Sequence, residues 1–134
     1  MTSWAVGDEL LPRTDPPLTV TDFVRYQGAS GDMNPVHHDQ QAAEAVGYDR
    51  PLAVGMLAAG RLATYLTDVF GPRAVRTVEV RFSASAWPGD ALTYSARVVD
   101  VVAKDGGREL TVEAVCTTPQ GDVHVGGTAR FHLD

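Results

Sequence analysis

From residue 76 to residue 86 apolar and polar positions alternate. Val78, Val80, Phe82 and Ala84 fall on one face, and Thr77, Glu79, Arg81 and Ser83 on the other. A period of two predicts a half-buried β-strand. Three later stretches repeat it. Leu92, Tyr94, Ala96 and Val98 follow a Pro88-Gly89-Asp90 turn. Leu110, Val112, Ala114 and Cys116 follow Asp105-Gly106-Gly107. Val123, Val125, Gly127, Ala129, Phe131 and Leu133 follow Pro119-Gln120-Gly121-Asp122. The period fails over Val99 to Val102, which predicts a bulge. Four strands joined by short turns predict an antiparallel meander.

A different pattern runs from about Ala53 to Phe70, where Gly71-Pro72 closes it. It is apolar nearly all round, and Arg61, Thr64 and Asp68 at i, i+3 and i+7 leave only a narrow stripe for water. Such a helix belongs inside a protein. A sheet with one apolar face needs a cover, and this helix is the candidate. The expected architecture is α+β: a curved antiparallel β-sheet wrapped around a long central α-helix, in one domain spanning 1–134. Two short helices precede it. Thr21 is expected to cap Asp22 to about Ala29, with Phe23, Val24 and Tyr26 on the apolar side. Asp39 caps Gln40 to Val46, closed by Gly47. Residues 1–17 form a lead-in, with Leu10, Leu11 and Leu18 covering one end of the core.

Composition narrows the function classes. The formal net charge is -6 and no Lys/Arg run supplies a phosphate-binding stripe, which argues against nucleic acid. No apolar run reaches the length of a membrane span, and the N-terminus has no basic start followed by an apolar run, so neither a membrane anchor nor a signal peptide is expected. Cys116 is the one cysteine, so no internal disulfide forms, and a cytoplasmic setting fits. Its place on a strand's apolar face reads as a buried small hydrophobe.

Candidate chemistry concentrates in Gly31 to Met56, GDMNPVHHDQQAAEAVGYDRPLAVGM. Asp32 and His37 stand five positions apart around an Asn34-Pro35 turn. Gly55 follows 18 residues after His37, at the start of the apolar helix. A carboxylate, an imidazole and a backbone donor near a helix N-terminus suit proton transfer beside a polarised carbonyl. Gly55 costs little in a first helical turn, and close approach of a ligand is one reason for it. His37, His38 and Asp39 are adjacent, and adjacent residues rarely converge on one ion, so no metal is expected. His38 reads as a rim or solvent residue. His124 and His132 fall on the polar strand face and read as surface histidines. Trp87 and Tyr65 read as core or interface residues, and Arg61 is open between a surface charge and a partner contact.

Gly31-Asp32-Met33-Asn34-Pro35-Val36-His37-His38-Asp39, followed by Pro51-Leu52-Ala53-Val54-Gly55-Met56-Leu57, resembles the hydratase motif of the MaoC-like, (R)-specific enoyl-CoA hydratase and 3-hydroxyacyl dehydratase family. The resemblance covers about Val6 to Leu133. It implies a hot-dog fold and reversible syn addition of water across a trans-2-enoyl thioester. Asp32 and His37 would hold the water, Asn34 would brace the loop, and the Gly55 amide would bond the thioester carbonyl, with Val54 and Met56 beside it. It implies no cofactor: coenzyme A or acyl carrier protein carries the acyl group as substrate. A lone sheet of this kind leaves its edge strand and one helix flank open, so a homodimer or a heterodimer with a related chain is expected. Two positions depart from the family pattern. Val54 stands where a histidine is common, and Ala63 where a small hydroxyl residue is common. These departures support a rival reading, a non-catalytic or partner-dependent subunit. A hot-dog thioesterase ranks lower, because the one carboxylate on the central helix, Asp68, lies near its far end.

Overall fold

The computed structural model describes residues 3–134; the first two residues of the lead-in lie outside them. In chain order the elements are β1 (Arg13–Thr14), α1 (Val20–Ser30), a 3-10 turn (Pro35–His37), α2 (Gln40–Ala45), α3 (Gly55–Phe70), β2 (Val75–Phe82), β3 (Thr93–Lys104), β4 (Gly107–Thr117) and β5 (Val123–Leu133). The strands form one antiparallel sheet in the order β1-β3-β4-β5-β2. α3 lies across the sheet and buries Ala58, Leu62, Tyr65, Leu66 and Phe70 against Val98, Leu110, Val112, Ala129 and Phe131. This is the helix-in-sheet arrangement of a hot-dog fold.

Only β3, β4 and β5 form a meander. β2 does not pair with β3, the next strand in the chain; it crosses to the far edge and pairs with β5. The reason is α3: a chain leaving a helix that spans the sheet emerges at one margin, and the first strand it lays down becomes that margin. β2 is therefore an outer strand, and Val78 and Phe82, expected inside, are exposed. The expected bulge is present at Val99, where Val98 and Asp100 pair with consecutive residues of β4. α1 begins two residues earlier than expected. Thr19, not Thr21, is its N-cap, because Asp22 sits three residues later and closes a capping box: the Asp22 amide donates to Thr19 Oγ1 at 3.1 Å and the Thr19 amide to Asp22 Oδ2 at 2.9 Å. In the lead-in, Leu10 and Leu18 are buried and Leu11 is exposed.

Cys116 is fully buried among the core strands, and burial pushes its thiol up to about 12. Tyr65 is buried and donates from its hydroxyl to Leu11 O at 3.0 Å. Trp87 packs edge-on against Tyr48 with the Arg50 guanidinium over its ring. Arg61 resolves as a local charge contact, 3.9 Å from both Asp15 and Asp22. No helix among the described residues is long and apolar enough to cross a membrane.

Candidate active site

The loop after α1 is built by its own polar side chains. Gly31 ends the helix at φ 79, a left-handed conformation that glycine adopts without cost, and its amide donates to Gln27 O. Asp32 Oδ1 accepts from the Asn34 amide at 3.2 Å, and Asn34 Oδ1 accepts from the Val36 amide at 3.1 Å. Both are local turns that short polar side chains favour. Asn34 thereby caps the 3-10 turn that presents His37. Gln27, only 1% exposed, ties this loop back to α1: its Nε2 donates to Asn34 O at 2.9 Å, and its Oε1 accepts from His38 Nδ1 at 2.8 Å. His38 is thus a loop anchor on an exposed residue.

His37 is buried. Its Nδ1 lies 2.7 Å from Leu52 O, and because a carbonyl only accepts, Nδ1 carries the proton. In the neutral ring Nε2 then keeps its lone pair. The Leu52 amide donates in turn to Val36 O at 3.0 Å. Leu52 lies three residues before Gly55, so this pair of bonds clamps the histidine to the entry of α3.

That helix entry is bare. Val54 is the N-cap and gives no side-chain hydrogen bond. Among the described residues nothing accepts from the Gly55 or Met56 amide. Uncapped amides at a helix N-terminus are a ready site for a negatively polarised oxygen. The space beside Gly55 is already occupied: a Cβ there would stand 2.8 Å from Phe82 Cδ1. A side chain at 55 would therefore have to displace that ring.

Asp32, His37, Val54, Gly55 and Met56 all line one cleft of about 310 Å³. Asn34 does not line it and acts through the loop. Asp32 and His37 line the cleft with no ion pair within 4.0 Å between them. Asp39 is the N-cap of α2, as its position implied. Asp68 pairs with Arg13 at 3.2 Å, away from the cleft. Among the described residues no three His, Cys, Asp or Glu side chains gather as a metal site.

Three residues of this region escaped the sequence reading: Gln27, Phe82 as a wall, and His124. His124 is not a surface residue. It is 4% exposed and lines the cleft. The register between β4 and β5 slips there: Cys116 pairs with Val125 and Thr117 with Val123, leaving His124 as the extra residue of a bulge. A bulge reverses the inside–outside parity of the strand beyond it, so His124 and Val125 are both buried while Val123 is exposed. His132, by contrast, stays at the sheet margin near Asp134.

The family model described as MaoC like domain matches residues 2–119. The chain belongs to the MaoC-like domain family. At 31% identity it is similar to the 3-oxo-4,17-pregnadiene-20-carboxyl-CoA hydratase beta subunit of Mycobacterium tuberculosis, over 96% of this chain and 94% of that protein. It is equally similar, at 31%, to the enoyl-CoA hydratase ChsH3 of the same organism, over 90% of this chain but only 43% of that protein. The MaoC-like chain therefore spans less than half the length of ChsH3. Among solved structures, the (R)-hydratase of A. caviae superposes with a TM-score of 0.85 at 21% identity, each chain fully covered. The ChsH1–ChsH2 complex of M. tuberculosis gives 0.82 at 26%, covering 97% of this chain and 98% of the matched one. MaoC-like membership, the hot-dog fold and a hydratase or dehydratase family follow from these matches.

Proposed function

We propose that this MaoC-like chain interconverts trans-2-enoyl and (R)-3-hydroxyacyl thioesters of coenzyme A or acyl carrier protein. One observation carries the reading: Asp32, His37 and the unpartnered Gly55 amide line a single cleft. The thioester carbonyl would accept from the Gly55 amide, where the helix N-terminus favours the enolate charge that develops on oxygen. Water would sit between Asp32 and His37. One of the pair takes a water proton as the oxygen bonds to C3; the other delivers a proton to C2. Asn34 holds the loop in register. Val54 and Met56 wall the carbonyl site. The reaction needs no metal or redox group, and its proposed setting is the cytoplasm.

A second reading has its own support. The match to a protein named as a beta subunit and to a hetero-complex favours a chain that works only with a related hot-dog partner. β2 is an open sheet edge, the kind of edge that proteins cover. We propose a dimer, with itself or with such a partner. A thioesterase reading lacks support, since Asp68 is outside the cleft.

The test is hydration of crotonyl-CoA by the purified protein, with light scattering to size it. Asp32→Asn and His37→Ala should each lower turnover by on the order of 10²-fold or more while circular dichroism stays unchanged. Near-normal activity in either variant overturns the mechanism. An inert wild type that a copurifying related chain activates selects the subunit reading. An active, stable monomer removes the dimer.

A further inference from the structure

The catalytic cleft has a second side. Ala53, Val54 and His124 line both the open cleft and a narrow, partly open seam that adjoins it, walled by Leu18, Phe23, Leu57, Ala58 and Leu92. The seam holds no room for a water molecule as it stands. Its walls are apolar except at two places. Arg61 lies at one of them and is already engaged with Asp15 and Asp22. The other is His124.

His124 is held in an unusual way for a core histidine. The bulge at the start of β5 turns it inward. Its Nδ1 lies 2.7 Å from Ala84 O, so Nδ1 carries a proton and donates. Its Nε2 is buried without any hydrogen-bond partner. In the neutral ring that atom is a bare acceptor shut off from solvent. A buried acceptor left unmet is destabilising, and such groups are rare in folded proteins. The Ala84 bond explains one nitrogen only. An asparagine would make that bond without leaving a second polar atom unsatisfied at the depth of Nε2.

An acyl chain anchored by its carbonyl at Gly55 has two exits: outward along the open cleft, or across the Ala53–Val54–His124 wall into the seam. The seam's walls suit hydrocarbon, and Nε2 asks for a donor. We infer that His124 is a specificity-determining residue whose Nε2 accepts a hydrogen bond from a hydroxyl group on the acyl chain, beyond the double bond that is hydrated. The ligand class is a hydroxylated 2-enoyl thioester, with its tail parting the seam. This rests on the hydratase reading proposed above. A site whose buried polar group needs a substrate hydroxyl discriminates against the analogue that lacks it.

The experiment uses the full chain in the assembly it forms. kcat/KM is measured for a series of 2-enoyl-CoA thioesters of one chain length, plain or carrying a single hydroxyl at successive tail positions. Wild type should favour one hydroxylated isomer over the plain thioester by about tenfold, the yield of one neutral hydrogen bond. That ratio should fall to about one in His124→Asn, which keeps a donor for Ala84 O but has no atom at Nε2. It should persist in part in His124→Gln, whose amide reaches the Nε2 position. In a second readout, ¹⁵N-histidine NMR, the His124 Nε2 signal should move from its free-lone-pair position when the hydroxylated 3-hydroxyacyl product binds, and stay when the plain product binds. A wild type that turns over every member with equal kcat/KM overturns the inference and leaves the hydratase reading standing. A preference that survives in His124→Asn overturns it as well. If no enoyl thioester is turned over, the hydratase reading itself fails and takes this inference with it.

Discussion

Gly55→Ala is an informative substitution because two effects oppose each other at one atom. In an exposed helix interior alanine is preferred to glycine by about 0.5–1 kcal/mol. Here the new methyl would stand 2.8 and 2.9 Å from Phe82 Cδ1 and Cε1, closer than carbon atoms approach. The backbone of α3 is fixed by the core, so the ring must yield. Phe82 is 49% exposed, and it hides roughly 100 Å² of ring, about half of what a buried aromatic covers. Losing all of that costs at most about 2.5 kcal/mol at ~25 cal/mol/Å². Gly55 is the first residue of α3, where the helix gain is small, so the variant should be no more than about 2.5 kcal/mol less stable, a drop of under about 10 °C in Tm for a chain of this size. Activity should suffer more than stability. Phe82 lines the same cleft as Gly55, and a displaced ring would crowd the amide proposed to receive the thioester oxygen. Loss of one such donor costs 10²–10³ in turnover elsewhere, so a partial block should lower kcat/KM on crotonyl-CoA by on the order of tenfold or more. Adding Phe82→Ala to Gly55→Ala removes the clash and should recover most of that loss. Thermal melts and steady-state kinetics on the two single variants and the double variant decide it. A fully active Gly55→Ala protein, or a double variant no better than the single, refutes the crowding argument.

Gln27→Leu should loosen the site loop, because it strands Asn34 O and His38 Nδ1. We expect a loss of about 1–3 kcal/mol in chemical denaturation, with kcat falling more than KM rises; an unchanged kcat would mean that the loop keeps its shape unaided. Cys116 should resist alkylation in the native protein at pH 8 and react once unfolded, since burial pushes its thiol up to about 12. The same shift predicts that stability, full below the thiol's unfolded value near 8.5–9, declines as pH rises towards about 12, because the unfolded chain ionises first. A native thiol titrating near 8.5 by ultraviolet absorbance would contradict both statements.

The fold was legible where the sequence signal is local. Alternation found the four long strands, the near-continuous apolar run found α3, and the broken period found the Val99 bulge. What escaped was relational. Nothing in residues 75–82 states that their neighbour is β5, since strand order depends on where α3 delivers the chain. A bulge adds one residue and reverses parity, so a strictly alternating reading sent His124 outward when it points in. Gln27 did leave a signal. It lies four residues after Phe23 on the buried face of α1, and a glutamine there needs partners. In the site, the motif brought out Asp32, Asn34, His37 and Gly55, but the contacts through Leu52 that bring loop and helix together run through backbone atoms, which no side-chain pattern encodes.

The bare N-terminus of α3 has a consequence for how such a protein evolves. Selection for stability alone would set a serine or aspartate at Val54, satisfying an open amide and strengthening the fold by about 1 kcal/mol. That side chain would then crowd the cleft beside the Gly55 amide, where the thioester oxygen is proposed to bind. On that proposal an easy improvement in robustness is refused to keep the door open, and the empty protein carries a weak point that a bound acyl oxygen would repair. Where the position before Gly55 drifts to a capping residue, the helix gains its cap and the proposed site is crowded; such a chain would fit the role of scaffold for a partner that kept the opening.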